Sequence, residues 1–160
     1  MKIRELMTRN VACIRCEDCL SSAAQLMWDC DCGAVPVLDS TGCVVGMITD
    51  RDICMAAWSK DRPLSSIAVS DAMSKTLYHC TPEDTVSFVE NLMRSKQIRR
   101  IPVLAKDGSL AGIVSLADIV MHSQNVGTRA AAHELAPHEV TTTLANICQP
   151  RPSSLGNARA

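Results

Sequence analysis

Aromatic residues are scarce in this chain. Its 160 residues include one Phe, one Tyr and two Trp. Proteins that hold single-stranded nucleic acid stack the bases on aromatic rings, so no such platform is expected here. Basic and acidic residues are balanced at 16 and 17, which gives no electrostatic reason to expect a nucleic-acid partner. The core must therefore be aliphatic, and nucleic-acid binding is not expected.

Long apolar runs and catalytic signatures are also missing. No run reaches the roughly 18 residues that a membrane span needs. The opening MKIRELMTRN lacks the apolar centre of a signal peptide. No nucleophile–base spacing, phosphate-binding glycine loop or zinc-hydrolase helix motif is present. We therefore expect a cytoplasmic protein that has no membrane partner and is not an enzyme.

Cysteine is abundant, with nine residues, an odd number. In a reducing compartment most would act as small hydrophobic thiols. Cys13, Cys16 and Cys19 have the spacing of the first three ligands of a bacterial iron–sulfur run, but the fourth ligand is missing. Cys30 and Cys32 lie beyond a predicted helix, too far away to complete a four-thiolate site. A redox or zinc role for two or three thiols, or a disulfide in the first copy, remains an alternative; the tail adds the candidate ligands His133, His138 and Cys148.

One stretch of the sequence occurs twice. Residues 7–53 align without a gap onto residues 73–119 at a constant offset of 66. A unit repeated once predicts two halves that pack together about a pseudo-twofold axis. The identical pairs include Met7/Met73, Asp18/Asp84, Met27/Met93, Pro36/Pro102, Gly42/Gly108, Gly46/Gly112 and Asp52/Asp118.

Each copy has the pattern strand, helix, strand, strand, helix, which predicts an α/β (α+β) fold. A lead-in helix is expected over 3–7, a first strand over 11–14, and a hairpin from strands 34–38 and 44–48. The second copy repeats the hairpin over 101–104 and 110–114. Pro36 and Pro102 indicate an edge strand or one missing ladder bond. The predicted organisation is a first repeat 1–58, a linker 59–66, a second repeat 67–123 and a tail 124–160, with a possible short helix over 139–148 and a mobile end from 149.

Both hairpins lead into the same phrase, a glycine, two apolar residues, Thr or Ser, two further residues and Asp. The two instances end in Thr49 with Asp52 and in Ser115 with Asp118. A helix that begins there offers free backbone N–H groups to an anion, and the Asp carboxylate suits a ribose diol. The same spacing is close to a capping box, which only closes a helix start. Its recurrence at equal offsets favours a binding role.

On these residues the chain resembles a tandem pair of CBS domains (cystathionine-beta-synthase-type repeats), also called a Bateman module. It is most similar to stand-alone bacterial CBS-pair proteins, including those of hypoxic or stress responses. The matching segments are 7–8, 33–37 and 46–53, with their partners 73–74, 99–103 and 112–119. The resemblance implies two CBS repeats that bind an adenosine-containing ligand (AMP, ADP, ATP, NAD or S-adenosylmethionine) between them, with no catalytic activity and no required cofactor.

The resemblance also implies two clefts. In the first, Asp118 and Ser115 hold ribose or phosphate, Arg99 and Arg100 hold phosphate, and adenine lies among residues of the other copy. The full set for the first cleft is Asp118, Ser115, Ile113, Arg99, Arg100, Thr8, Asn10, Ala12, Gly33 and Ala34. The set for the second cleft is Asp52, Thr49, Met47, Arg51, Ser74, Thr76 and Tyr78.

The two clefts are chemically unequal, because Gly33 and Ala34 stand where the second copy has Arg99 and Arg100. An arginine pair is a suitable phosphate clamp. The first cleft is therefore expected to take a phosphorylated ligand, and the second to be empty or to take a less charged one. The resemblance further implies a homodimer and an unidentified effector protein. The alternative function is a thiol- or metal-responsive stress protein on the same scaffold.

Overall fold

The structure is a computed structural model that describes residues 1–126 and 137–147. Residues 123–126 and 137–140 are described by their backbone alone. Two small sheets are each covered by helices. The first repeat contains β1 (Ile14–Arg15), α1 (Leu20–Asp29), β2 (Ala34–Leu38), β3 (Val44–Thr49) and α2 (Asp50–Lys60). The second contains α3 (Val86–Lys96), β4 (Arg100–Leu104), β5 (Leu110–Ser115) and α4 (Leu116–Val126). The mixed α+β class is as expected.

The two hairpins have the same register. β2 pairs antiparallel with β3, and β4 with β5, each with a register shift just before the last pair. The turns contain Gly42 at φ 87° and Gly108 at φ 83°, a backbone region that glycine enters without a Cβ penalty. Buried and less buried residues alternate along β3 and most of β5, so the inward residues of each hairpin pack on its helices.

The first strand of each copy is shorter than predicted. β1 covers only Ile14 and Arg15, so residues 11–13 of the expected strand are outside it. In the second copy a single parallel bridge between Cys80 and Val103 replaces the strand. β2 is the central strand of its sheet, so of the two alternatives for Pro36 the edge position is wrong. β1 pairs with β2 only at Val37 and Leu38, just after the proline.

The lead-in segments cross between the repeats. The first lead-in, a 3₁₀ turn Ile3–Glu5 rather than the helix expected over 3–7, places Ile3 and Met7 in the core of the second repeat. Ile67 and Val69, at the start of the second copy, lie in the core of the first repeat. The backbone contacts are reciprocal at the 66-residue offset, since Lys2 pairs with Thr85 as Ala68 pairs with Cys19. Each core is therefore built from both copies, about a pseudo-twofold axis.

The tail contributes one described helix, α5 (Pro137–Ile147), in the region where a helix over 139–148 was expected. α5 packs against α3, and Ile147 joins the core of the second repeat. The end from residue 149, expected to be mobile, lies outside the described residues. None of the described helices has the length and apolarity needed to cross a membrane.

Candidate functional site

The Thr/Ser-x-x-Asp phrase forms a capping box in both repeats. In the first, the Thr49 amide and hydroxyl donate to Asp52 Oδ2 at 2.9 and 2.7 Å, and the Asp52 amide donates back to Thr49 Oγ1 at 3.1 Å. In the second, Ser115 and Asp118 make the same three hydrogen bonds at 2.7, 2.7 and 3.2 Å. The capping interpretation of the motif is thus correct for both copies, and any ligand role must be additional to it.

The capping bonds leave half of each carboxylate available. Both hydrogen bonds that the Asp118 carboxylate accepts use Oδ2, and Oδ1 has no hydrogen-bond partner among the described residues. Because Oδ2 is held by two donors, the carboxylate is fixed in direction while Oδ1 remains an open acceptor. A fixed acceptor at the start of α4 is suited to a ligand hydroxyl group.

A cleft of about 280 Å³ lies in front of Asp118. It brings together eight of the ten residues expected in the first cleft, and Arg100 and Asp118 are the only charged side chains in its lining. The eight are Thr8, Asn10, Ala12, Ala34, Arg100, Ile113, Ser115 and Asp118. The cleft therefore joins the lead-in and β2 of the first copy to the end of β5 in the second.

Paired backbones build this cleft. Thr8 and Ile113 exchange two hydrogen bonds, each of 2.9 Å between amide nitrogen and carbonyl oxygen. Gly112 permits this close approach, because a Cβ at that position would lie 2.7 Å from the Thr8 carbonyl oxygen. Arg100 is the register partner of Ser115 across the β4–β5 pair, so the cation stands beside the helix start. The lead-in of one copy thereby forms one wall of the other copy's cleft.

Two residues expected in this cleft lie outside its lining. Arg99 is exposed, and its carbonyl accepts a hydrogen bond of 2.9 Å from the Leu116 amide at the start of α4. Gly33 occupies the equivalent place in the first copy, where its carbonyl accepts from the Asp50 amide at 3.2 Å. The arginine pair therefore supplies one cation to the cleft, from Arg100.

The residues expected in the second cleft are arranged differently. Met47 and Ser74 exchange backbone hydrogen bonds of 3.2 and 2.9 Å, the counterpart of the Thr8–Ile113 pair. Tyr78 lies under the Lys96 ammonium group, 5.1 Å from nitrogen to ring centre. Arg51 is exposed at the start of α2, and Thr76 only accepts, through its carbonyl, a 3.5 Å bond from the Ser74 hydroxyl. None of the seven residues, Asp52 and Thr49 included, lines the Asp118 cleft or the larger cavity between α1 and α2.

Comparison with known proteins agrees with this architecture. The model of the CBS domain matches residues 3–59 and 69–125. The chain belongs to the CBS-domain family. It is 37% identical to the uncharacterized protein YlbB of Bacillus subtilis over 124 residues, which are 77% of this chain and 82% of YlbB. The chain is thus a CBS-pair regulatory module.

Two solved structures are similar to the structure of this CBS pair. Hypoxic Response Protein I with two coordinated zinc ions has a TM-score of 0.70 at 30% identity, over 76% of this chain and 98% of that one. A protein of almost the same name, Hypoxic response protein 1, comes from Mycobacterium tuberculosis. The CBS domain pair of protein MJ0100 in complex with 5′-methylthioadenosine and S-adenosyl-L-methionine has a TM-score of 0.71 at 19% identity, over 78% and 97% of the two chains. The second likeness supports the fold alone.

Four residues that line the cleft of this CBS pair were missed at the sequence level: Val11, Val35, Cys30 and Cys32. The two cysteines follow α1 directly, and Cys32 is two residues before Ala34, which was expected in the cleft. That adjacency was the available signal. At the sequence level these cysteines are assigned hydrophobic, redox, disulfide or zinc roles, and none of those roles predicts a position in the cleft lining.

Two thiols of the CBS pair have pKa values shifted in opposite directions. Eight of the nine cysteines fall within the described residues, and all eight are free. Hydrogen bonds from the Ser21 and Ser22 hydroxyls lower the pKa of the Cys19 thiol to about 7, whereas burial raises that of Cys80 to about 12. Among the described side chains, no group of three His, Cys, Asp or Glu residues is close enough to hold a metal ion. His133, His138 and Cys148 lie outside that set.

Proposed function

We propose that this CBS pair is a sensor for an adenosine-containing ligand, which binds in the Asp118 cleft and biases the packing of the two repeats. The observation that carries the proposal is the cleft itself, in which an open, fixed carboxylate oxygen and one arginine face a wall from the other copy. Its volume of about 280 Å³ is near the lower end of the range for small-molecule sites, roughly 300–1,000 Å³.

Each part of the cleft has a role in this proposal. Asp118 Oδ1 accepts from ribose hydroxyls, and the Arg100 guanidinium meets phosphate. Ile113 and Ala12 supply apolar contact for the adenine ring. AMP, ADP, ATP, NAD and S-adenosylmethionine all carry the adenosine part, and a solved CBS pair of this fold binds 5′-methylthioadenosine and S-adenosyl-L-methionine.

Signalling follows from the composition of the walls. The ligand would touch Thr8 and Asn10 from the first copy and Ser115 and Asp118 from the second. It therefore favours whichever packing of the repeats gives the tighter cleft, and only by its difference in affinity between the two arrangements. We further propose that the chain acts without catalysis, as a homodimer, on an effector protein. Light scattering in solution tests the dimer.

Calorimetry with reduced protein and AMP, ADP, ATP, NAD or S-adenosylmethionine tests the proposal. Asp118→Ala should weaken binding by about tenfold or more, since a hydrogen bond to a charged group contributes about 1.5–3 kcal/mol. Asp52→Ala is the matched control, because Asp52 makes the same capping bonds. Both variants should lose about 1 kcal/mol of unfolding free energy, and only Asp118→Ala should lose ligand. Absence of binding by every ligand would refute the proposal.

A second candidate is a thiol- or metal-responsive protein on the same scaffold. The observation in its favour is the Cys19 thiol, whose pKa of about 7 makes it a ready nucleophile at neutral pH. A relative of the same fold, 30% identical, coordinates two zinc ions. Repeating the calorimetry with zinc, and after oxidation of the protein, separates this candidate from the adenosine sensor.

A further inference from the structure

Two free thiols lie in the wall of the Asp118 cleft. Cys30 and Cys32 are both part of its lining, and neither is in a disulfide. Cys30 is exposed, whereas Cys32 is half-buried and packs against the core of the first repeat. The cleft has a volume of only about 280 Å³. A group attached to either sulfur would therefore compete with a ligand for the same space.

The end of α1 fixes the backbone that carries both thiols. The Cys30 amide donates to the Leu26 carbonyl at 3.0 Å, and the Cys32 amide donates to the Met27 carbonyl at 2.9 Å. Asp31, between the two cysteines, has a left-handed backbone with φ 48°. This combination is a common way for a helix to end. The two thiols are therefore held in the cleft wall by the same turn.

The second repeat indicates where the side chain of Cys30 points. At the 66-residue offset, Cys30 corresponds to Lys96 and Ala12 corresponds to Tyr78. The Lys96 ammonium group lies over the Tyr78 ring, 5.1 Å from its centre. Cys30 and Ala12 line one cleft, which indicates that the same two positions face each other in the first repeat. There a thiol faces a methyl group, on the side of the cleft where Ala12 is proposed to contact adenine.

We propose that Cys30 and Cys32 form a thiol-modification site that controls access to the Asp118 cleft. A low-molecular-weight disulfide reacts with either thiol, and the half that stays attached excludes the adenosine-containing ligand. This inference rests on the proposed adenosine site and names a regulation of that site. Cys30 is the first to react because it is the exposed thiol of the two.

The chemical step is a thiol–disulfide exchange. The cysteine thiolate attacks one sulfur of the small disulfide, so a new sulfur–sulfur bond forms and the original one breaks. The other half leaves as a thiolate and takes up the proton that the cysteine released. The cysteine is thereby oxidised and the small disulfide is reduced. An excess of a small thiol reverses the step and reopens the cleft.

The test treats the reduced full chain with hydroxyethyl disulfide, a small neutral probe, and measures ligand binding by calorimetry. The ligand is whichever of AMP, ADP, ATP, NAD and S-adenosylmethionine the reduced chain binds most tightly. Treatment should weaken binding by about tenfold or more, because the cleft is already near the lower size limit for such ligands. Dithiothreitol should restore the affinity.

Two variants identify the thiols responsible. Cys30→Ser combined with Cys32→Ser should have the same affinity before and after treatment. The matched control is Cys13→Ser, because Cys13 is exposed but lies outside the cleft lining. This control should lose affinity on treatment as the parent chain does.

Protection by the ligand is a second measurement, and it needs no variant. Because coupling between two binding events is reciprocal, saturating ligand should slow the modification of Cys30 and Cys32. Tandem mass spectrometry assigns each adduct, and the ligand should not protect Cys13, which lies outside the cleft lining.

The outcomes separate this inference from the proposed function. Unchanged affinity with adducts on Cys30 and Cys32, absence of an adduct on either thiol, or a loss that persists in the double variant overturns the inference and leaves the adenosine site standing. If the reduced chain binds none of the five compounds, both proposals fail.

Discussion

Arg100 is the one cation in the lining of the Asp118 cleft, and its neighbour Arg99, which is outside that lining, provides a control. Both residues are exposed, but only Arg100 lines the cleft. We predict that Arg100→Ala weakens AMP or ATP binding by about tenfold or more, because a charge-assisted hydrogen bond to phosphate is lost. Arg99→Ala should have little effect, and adenosine should bind both variants like the parent. Calorimetry with AMP, ATP and adenosine measures these affinities. Equal losses of nucleotide affinity in Arg100→Ala and Arg99→Ala would contradict the assignment of Arg100 to the phosphate.

The Cys19 thiol gives a pH-dependent prediction. Its pKa of about 7 lies below the ordinary thiol value because the Ser21 and Ser22 hydroxyls stabilise the thiolate. The thiolate is the reactive form, so alkylation by iodoacetamide should rise with pH and reach half its maximum rate near pH 7. Ser21→Ala or Ser22→Ala should move that midpoint to higher pH.

Peptide mass spectrometry resolves the individual thiols in this experiment. Cys80, whose pKa burial raises to about 12, should remain unmodified in the folded protein and serves as the internal control. Alkylation of Cys19 at neutral pH no faster than that of the exposed Cys13 would show that the serine hydrogen bonds do not activate it.

At the scale of elements, β3 and β5 each contain a glycine that allows the backbone of the other copy's lead-in to lie close to the strand. A Cβ at Gly112 would lie 2.7 Å from the Thr8 carbonyl oxygen, and one at Gly46 would lie 2.5 Å from the Ser74 carbonyl oxygen. Either Gly→Ala change should therefore lower the unfolding free energy by about 1–3 kcal/mol, the usual cost of overpacking. Urea denaturation measures that loss.

The two glycine variants should differ in ligand binding. Gly112→Ala displaces Thr8, which lines the Asp118 cleft, so it should also weaken the ligand. Gly46→Ala acts at the Met47–Ser74 pair, outside that cleft, and is the matched control for this effect. If both changes left stability intact, the close approach of the two backbones would not be a constraint.

Local pattern was sufficient for the hairpins and the amphipathic helices, but not for the lead-in, because alternation, turn glycines and amphipathic spacing lie within each of those elements. It was insufficient for the first strand, since β1 is ended by its partner β2, which pairs with it only at Val37 and Leu38. The sequence does show that Ala34 stands where the second copy has Arg100. The position of Arg99 outside the cleft could not be predicted from the sequence, because it depends on how the backbone enters α4.

At the scale of the whole molecule, sequence order does not show which residues form each hydrophobic core. The repeat boundary places residues 1–7 in the first copy, yet Ile3 is fully buried in the second repeat's core. Val69 is fully buried in the core of the first repeat. Nothing in the local sequence distinguishes packing within a copy from packing across copies. The exchange becomes visible only through the reciprocal backbone pairs.

This exchange predicts that the two repeats unfold together. Ile3→Ala should cost about 2–5 kcal/mol as a core truncation in the second repeat. The lead-in also ties β5 to the first copy through Thr8 and Ile113, so its loss should loosen both halves. Hydrogen exchange should therefore accelerate in the β2–β3 hairpin as well as in β4–β5, and the reciprocal variant Val69→Ala should show the same coupling. Acceleration confined to one hairpin in each variant would mean that the repeats are independent folding units. A ligand that bridges the repeats would then have less cooperative coupling between them through which to signal.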